Sequence, residues 1–524
     1  MTAESGLHAH RPVSRSASTR PPVRLRSLLR PRALRLLAAL LAFAPALAPA
    51  QTRADLDKVL KRRTLPNGLE IVVVENHGVP LATVEIDVKN GSFTQTPDYA
   101  GLAHMYEHMF FKASQQFPAP DAFTQRASEL GAVFNGTTSE ERVNYYMTLP
   151  ADSLAPAMRA MASALRTPLF RGDELAREKE VVLGEYDRNQ ASPGFEFQNA
   201  LTRLLYPGQF SRKNVIGDRE VLRAVTPEQM REIQRRYYVP NNTALVVTGD
   251  VIPDSVFAWA QRWYGDWPRA ADPFRTNPIP PIPALERDTA VVSEAPVSAV
   301  TVFVQWQGPS VRRDKAATYA ADVFSDALNT PGSRFQRRLV DSGLWQTLSV
   351  NYYTLDQVGP ITMAGQADPG KLRQALAALH DEVEALARPG YLTADELANV
   401  KAQRAMESAL GAERASGLAH TIGFWWAVAD VDYFLGYTDE MAKQTPEDLR
   451  RYAATYISGR PRVTGVLLSP ADRRTLNLHE NELTDLWRRV AAAQAQRAAQ
   501  QPVQQPARQA VPARGGARSG GRRP

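Results

Sequence analysis

Cysteine is absent from all 524 residues. That excludes disulfides, thiolate ligands and a cysteine nucleophile, so any metal must be held by nitrogen and oxygen. Histidine is scarce, with eight copies. Acidic residues are nearly missing from both ends. Residues 1–50 hold eight arginines and one acid, Glu4, and residues 491–524 hold six arginines and no acid. The overall charge of +7 therefore leaves a net of −6 on the body between them. A slightly acidic body argues against a nucleic-acid groove. Long apolar runs are lacking near the start: "LLAALLAFAPALA", residues 36–48, is too short to span a membrane comfortably.

That short run does fit a secretory signal. Arginines extend to Arg35, the apolar segment follows, and Ala48-Pro49-Ala50 before Gln51 is a small-x-small cleavage site. Residues 1–50 are expected to be a signal peptide. The mature protein is then periplasmic in a Gram-negative bacterium, or secreted, with no stable membrane span after cleavage. No cysteine follows the site, so a lipoprotein is excluded. At the other end, residues 489–524 are rich in Ala, Gln, Arg, Gly and Pro, and are expected to form a disordered basic tail.

The body alternates strand-like and amphipathic helical stretches. "TPEQMREIQRRYY" from Thr226 is echoed 219 residues later by "TPEDLRRYAATYI" from Thr445, and each leads into a strand, "TALVVTGDV" or "RVTGVLLSP". This predicts duplication. The expected fold class is α+β, two homologous α/β halves that enclose a cleft. Residues 51–266 form the first half. A proline-rich linker covers 267–287, and 288–488 form the second half.

"GLAHMYEHMFF", residues 101–111, carries the chemistry. Thr96-Pro97 is a good helix start, and predicts a helix from Asp98 to about Lys112. His104 and His108 are then i and i+4 on one face, where both imidazoles can reach one ion. Glu107 lies on that side too, suited to stand beside the metal and take a proton from water. A catalytic zinc typically has three protein ligands and an open position. The third ligand is sought in "REKEVVLGEYDRN", residues 177–189. Glu178 and Glu185 are two helical turns apart and share a face, so one can ligate while the other supports.

The order His-x-x-Glu-His and the sequence around it resemble the insulinase-like family of zinc metallopeptidases. "VFNGTTSEERVNYY" resembles the family's substrate-edge strand, which usually reads Asn-Ala-x-Thr, and "EKEVVLGE" resembles its second glutamate motif. The resemblance implies halves of the metallopeptidase type, each an antiparallel-rich sheet covered by helices, and one Zn2+ per chain held by His104, His108 and Glu185. It implies Glu107 as general base, Glu178 as the supporting glutamate, and Asn135 and Thr138 as substrate-binding residues. The implied activity is a zinc endopeptidase acting on peptides or unfolded polypeptides. A non-catalytic zinc-binding or chaperone-like subunit is the alternative.

The second half departs from the family. The segment facing the metal helix in the alignment of the halves, "YAADVFSDALN", has no histidine. Family members that work alone commonly carry an Arg and a Tyr in a segment that here reads "RLVDSGLWQ", residues 338–346. Leu339 and Gln346 occupy those two positions, and Arg334 matches a different one. The resemblance therefore implies a dimer, and specifically a heterodimer with an insulinase-like chain that carries the Arg-Tyr pair.

Overall fold

The computed structural model describes residues 53–209, 212, 214–411 and 414–488. The expected signal peptide and basic tail lie outside the described residues.

The first sheet has six strands in the order β1-β2-β6-β3-β5-β4. They are β1 (Leu60–Thr64), β2 (Glu70–Glu75), β3 (Leu81–Val88), β4 (Val133–Thr138), β5 (Val143–Pro150) and β6 (Thr243–Gly249). The second sheet has five, β7-β11-β8-β10-β9. They are β7 (Thr289–Glu294), β8 (Val300–Gln307), β9 (Thr347–Tyr352), β10 (Pro360–Ala367) and β11 (Val463–Leu468). The two orders superpose strand for strand once β1 is set aside. β2 and β6 are parallel, as are β7 and β11. The remaining neighbours are antiparallel in both sheets.

The two Thr-Pro-Glu segments each start a helix, Pro227–Tyr237 and Pro446–Tyr456. Both have complete capping boxes, Thr226 with Gln229 and Thr445 with Asp448, which satisfy backbone donors at the helix start. Each helix is followed by the parallel-paired strand, β6 or β11. Between the halves, the proline-rich segment carries one helical turn, Pro273–Thr276, capped by Asp272.

β2 and β6 read as continuous apolar runs because both faces of the first sheet are covered. Ile71, Val73, Leu245 and Val247 pack with Met158, Met161, Val256 and Phe257, from the helices Leu154–Arg166 and Pro253–Tyr264. Val72, Val74, Ala244 and Val246 turn the other way, onto Leu418, Ala419, Ile422 and Trp426. Those four belong to the helix Ala415–Val428, which comes from the second half of the sequence. The two halves are thus joined through a shared core. No helix of the described residues is long and apolar enough to cross a membrane.

Candidate metal centre

The helix that carries the histidines spans Leu102–Phe110, not Asp98 to Lys112. Thr96-Pro97 starts only a 3-10 turn, Pro97–Tyr99, and the chain then passes through Gly101 at φ 86 before the α-helix begins. The cause is a contact from far along the sequence. Gly101 lies against Gly217, where a Cβ on Gly217 would sit 2.2 Å from the Gly101 Cα. A side chain on either glycine would push the two backbone segments apart.

The rest of this short helix is anchored by its apolar face. Leu102, Met105, Tyr106, Met109 and Phe110 are buried. Tyr106 stacks on Tyr238 at 3.8 Å between centroids, and Phe110 stacks on Tyr145 at 3.6 Å. The hydroxyls of Tyr145 and Tyr238 are themselves hydrogen-bonded at 2.8 Å. That packing leaves His104, Glu107 and His108 on the opposite side, part-buried.

The helix Gly172–Gln190 lies against them and turns a row of glutamates toward them. Glu174 accepts a hydrogen bond from the Ala113 backbone N–H. Glu178 stands 3.2 Å from His108 Nδ1 through one oxygen and 2.6 Å from Lys112 Nζ through the other. Glu185 Oε2 lies 3.6 Å from His104 Nε2 and 3.7 Å from His108 Nε2. Positions 174, 178 and 185 fall within about one face of a helix, because four and eleven residues are close to whole turns. Glu174 and Lys112 escaped the sequence reading. An acidic residue four before Glu178, in phase with it, was the signal available for the first of them.

The donor set fits a zinc ion. Separations of 3.6 and 3.7 Å are too long for hydrogen bonds. Ligand atoms at roughly 2.0–2.1 Å from a tetrahedral zinc stand about 3.3–3.5 Å apart, which is close to the spacing seen. His104, His108 and Glu185 are also the one group of three metal-ligating side chains found to converge among the described residues, with donor atoms within 4.8 Å of one another. Two neutral imidazoles and a carboxylate suit that metal.

Electrostatics among these side chains follow from burial and neighbours. Burial, then the adjacent His108, pushes His104 down to about 4. Burial also opposes charge on His108, but Glu178 and Glu185 override it and lift His108 to about 9. His108 in turn holds Glu185 below the usual carboxylate range. Burial would raise Glu178, yet His108 and Lys112 hold it low. Burial raises Glu107, against a hydrogen bond from Thr138.

That hydrogen bond, Thr138 Oγ1 to Glu107 Oε2 at 2.7 Å, ties Glu107 to β4. β4 is an edge strand, paired only with β5. Gly136 lies against the Glu107 side chain, where a Cβ would meet Cγ at 2.9 Å. Gly136 and Thr138 share one face of the strand by its two-residue alternation. Asn135 is on the other face and exposed, away from Glu107. Of the two residues expected to bind substrate, the structure brings Thr138 to the site as a partner of Glu107, and leaves Asn135 at the open edge.

Comparison with known proteins agrees with this architecture. Residues 70–217 match the family described as Insulinase (Peptidase family M16), and residues 224–404 match the Peptidase M16 inactive domain. The chain belongs to the M16 peptidase family. Among its M16 relatives is the uncharacterised zinc protease YmxG of Bacillus subtilis, 25% identical over 66% of this chain and 82% of YmxG. The zinc protease PqqE of Helicobacter pylori is 26% identical over 78% of this chain and 92% of its own length. A crystal structure of a protease from Helicobacter pylori superposes with a TM-score of 0.70 at 21% identity, covering 78% of this chain and 99% of that one. The periplasmic protease PqqL of Escherichia coli superposes with a TM-score of 0.68 at 17% identity, covering 83% of this chain and 50% of PqqL. The match of the second half to an inactive domain accords with the helix Lys315–Asn329, which follows β8 as the metal helix follows β3 and carries no histidine.

Proposed function

We propose that this M16 chain is a zinc-dependent endopeptidase of peptides or unfolded polypeptides, exported to the periplasm or beyond. His104, His108 and Glu185 would hold the ion, and Glu107 would act as the general base. The observation that carries this reading is the convergence of His104 Nε2, His108 Nε2 and Glu185 Oε2, with Glu107 restrained beside them. Zinc, when bound there, supplies a Lewis acid that lowers the pKa of a water and polarises a carbonyl. Glu107 accepts the proton of the attacking water and returns it to the leaving amine. Thr138 holds one Glu107 oxygen, which leaves the other to face the water. Glu178 fixes the ring of His108 through Nδ1, which would leave Nε2 free to hold the ion. The open edge of β4 offers main-chain groups that pair with an extended peptide and read little of its sequence, with Asn135 exposed along it.

The test is Glu107→Gln. It should keep one zinc per chain and lose peptide cleavage by at least about a hundredfold. A variant that cleaves as well as the parent removes Glu107 from the reaction. Zinc that exchanges freely, with no cleavage by the parent, favours the non-catalytic zinc-binding or chaperone-like subunit instead.

We further infer that the working form is a heterodimer. Leu339 is fully buried in the second core, and Gln346 donates to Asp368 at 2.6 Å. Neither position offers the guanidinium or the phenol of the Arg-Tyr pair. Arg338 is paired with the buried Glu382 at 2.6 Å. A partner chain of the same family would supply the Arg-Tyr pair. Copurification from the host followed by native mass measurement should find that partner. Full activity of the isolated chain would reject it.

A further inference from the structure

The four-residue turn between β4 and β5, residues 139–142, follows Thr138 directly. Its last two side chains, Glu141 and Arg142, turn into the protein. Glu141 is 1% exposed. Its Oε2 accepts the backbone N–H of Asp356 at 2.6 Å, and its Oε1 accepts the backbone N–H of Gln357 at 3.1 Å and Arg212 Nη2 at 3.0 Å. Asp356 and Gln357 lie between β9 and β10, in the second half of the sequence. Arg142 Nη1 donates to the backbone carbonyl of His420 at 3.0 Å, on the helix Ala415–Val428, also in the second half. The same Nη1 lies 3.4 Å from Glu85 Oε1 and 3.3 Å from Asp87 Oδ1 on β3.

The first half holds the turn as well. Ser92 N–H donates to Ser139 O, and Phe93 N–H donates to Glu140 O. Gly91 leaves no room between these segments, since a Cβ there would meet Ser139 O at 2.3 Å. The turn is therefore clamped between two backbone segments of the second half and one of the first. A buried carboxylate and a part-buried guanidinium are an expensive way to stabilise a surface hairpin, because both lose hydration. What they provide is a fixed position. One residue upstream of the clamp, Thr138 holds the Glu107 carboxylate.

We infer that Glu141 and Arg142 are positioning residues, through which the second half of the chain sets the β4–β5 turn and, by way of Thr138, the orientation of the Glu107 carboxylate. This rests on the reading of Glu107 as the base. It gives the half without a metal site a part in the chemistry that needs no residue of its own at the reacting atoms. Glu141 carries the larger share, because its carboxylate accepts two backbone N–H groups of the loop between β9 and β10. The effect is one of alignment. A base displaced by a fraction of an ångström still sees the same substrate along β4, so turnover falls while binding is kept.

The experiment uses the zinc-loaded protein, assembled as it copurifies from its host, with fluorescein-labelled β-casein as an unfolded polypeptide probe. Glu141→Gln is compared with Thr138→Ala, with the double variant, and with the parent. Zinc content and thermal unfolding are measured on each. Glu141→Gln should bind one zinc and lose roughly 10- to 100-fold in kcat with KM within about twofold. The double variant should lose no more than Thr138→Ala alone, because Glu141 acts through Thr138. A crystal structure of the variant should show the Thr138–Glu107 contact broken or lengthened. If Glu141→Gln does not fold, Glu141→Asp decides. It keeps the charge for Arg212 but withdraws from the two amides, and should show the same loss in kcat and the same non-additivity. Parental kcat, an effect confined to KM, or losses that add with Thr138→Ala overturn the inference and leave the peptidase reading intact. A zinc-loaded parent that cleaves nothing sinks the peptidase reading itself.

Discussion

Replacing Glu178 by glutamine tests how far the proposed metal centre depends on a group placed behind its ligands. Glu178 is 12% exposed in its side chain, and its two oxygens serve two donors, His108 through Nδ1 at 3.2 Å and Lys112 at 2.6 Å. Glutamine has nearly the same shape. Its amide oxygen can accept from one of these partners, but its NH2 must then face the other, donor against donor. Either the ring of His108 loses the contact that orients it, or the Lys112 ammonium does. Loss of a carboxylate behind a ligating imidazole typically weakens metal binding about 10- to 100-fold. That corresponds to about 1.4–2.8 kcal/mol. The same amount disappears from the stabilisation that excess zinc gives the folded chain. Competition titration of the metal-free protein against a chromophoric chelator measures the first quantity, and calorimetry with and without zinc measures the second. Lys112→Met serves as a control that keeps the carboxylate, and should lose less affinity. A folded Glu178→Gln protein whose zinc Kd lies within twofold of the parent's would refute the supporting role. If Glu178→Gln abolished zinc binding while Glu185→Gln kept it, the two glutamates would have exchanged parts.

Two further perturbations reach outside the ligands. Gly217 has φ +78 and faces the backbone of Gly101, so Gly217→Ala combines left-handed strain with overpacking and should lose roughly 2–4 kcal/mol. Because the displaced segment starts the metal helix, zinc affinity should fall with it, and a calorimetric loss under about 0.5 kcal/mol would contradict the contact. Asp322, in the second half, accepts a hydrogen bond from Tyr437 at 2.5 Å, and burial lifts it from the ordinary 3.8 to about 6. Its pKa is higher folded than unfolded, so it binds a proton more tightly in the folded state. Stability is therefore lost as pH rises from about 4 to about 6, by about 3 kcal/mol at most. Asp322→Asn should melt higher than the parent at pH 7.5 and equally at pH 4, and a gap that does not change with pH would refute this origin.

Much of the site is legible in the order of residues because the chemistry is local. His104 and His108 share a face by helical geometry alone, and Glu107 comes with them. The choice between Glu178 and Glu185 is not legible from periodicity, since two turns of helix return to the same face. Only the packing of one helix on another puts Glu185 Oε2 near both Nε2 atoms and Glu178 behind Nδ1. The helix start departs from the sequence expectation for a similar reason. Thr96-Pro97 has the residues of an N-cap, but the Gly101–Gly217 contact, 116 positions apart, forbids a continuous helix there. The duplication is legible because both copies keep the same capping box and the same strand behind it. The clamp on residues 139–142 is not, because its partners, Arg212, Asp356, Gln357 and His420, are scattered over 209 positions and follow no period.

The helix Ala415–Val428 also sets a schedule for folding. It closes the outer face of a sheet whose last strand ends at Gly249. A chain leaving a ribosome or a translocation pore has therefore finished every strand of that sheet roughly 180 residues before the helix that seals it exists. At about 5–20 residues per second, Val72, Val74, Ala244 and Val246 stay uncovered for roughly 9–36 s. During that interval the nascent half shows a sticky apolar wall, and a holding chaperone has a defined place and a defined time to act.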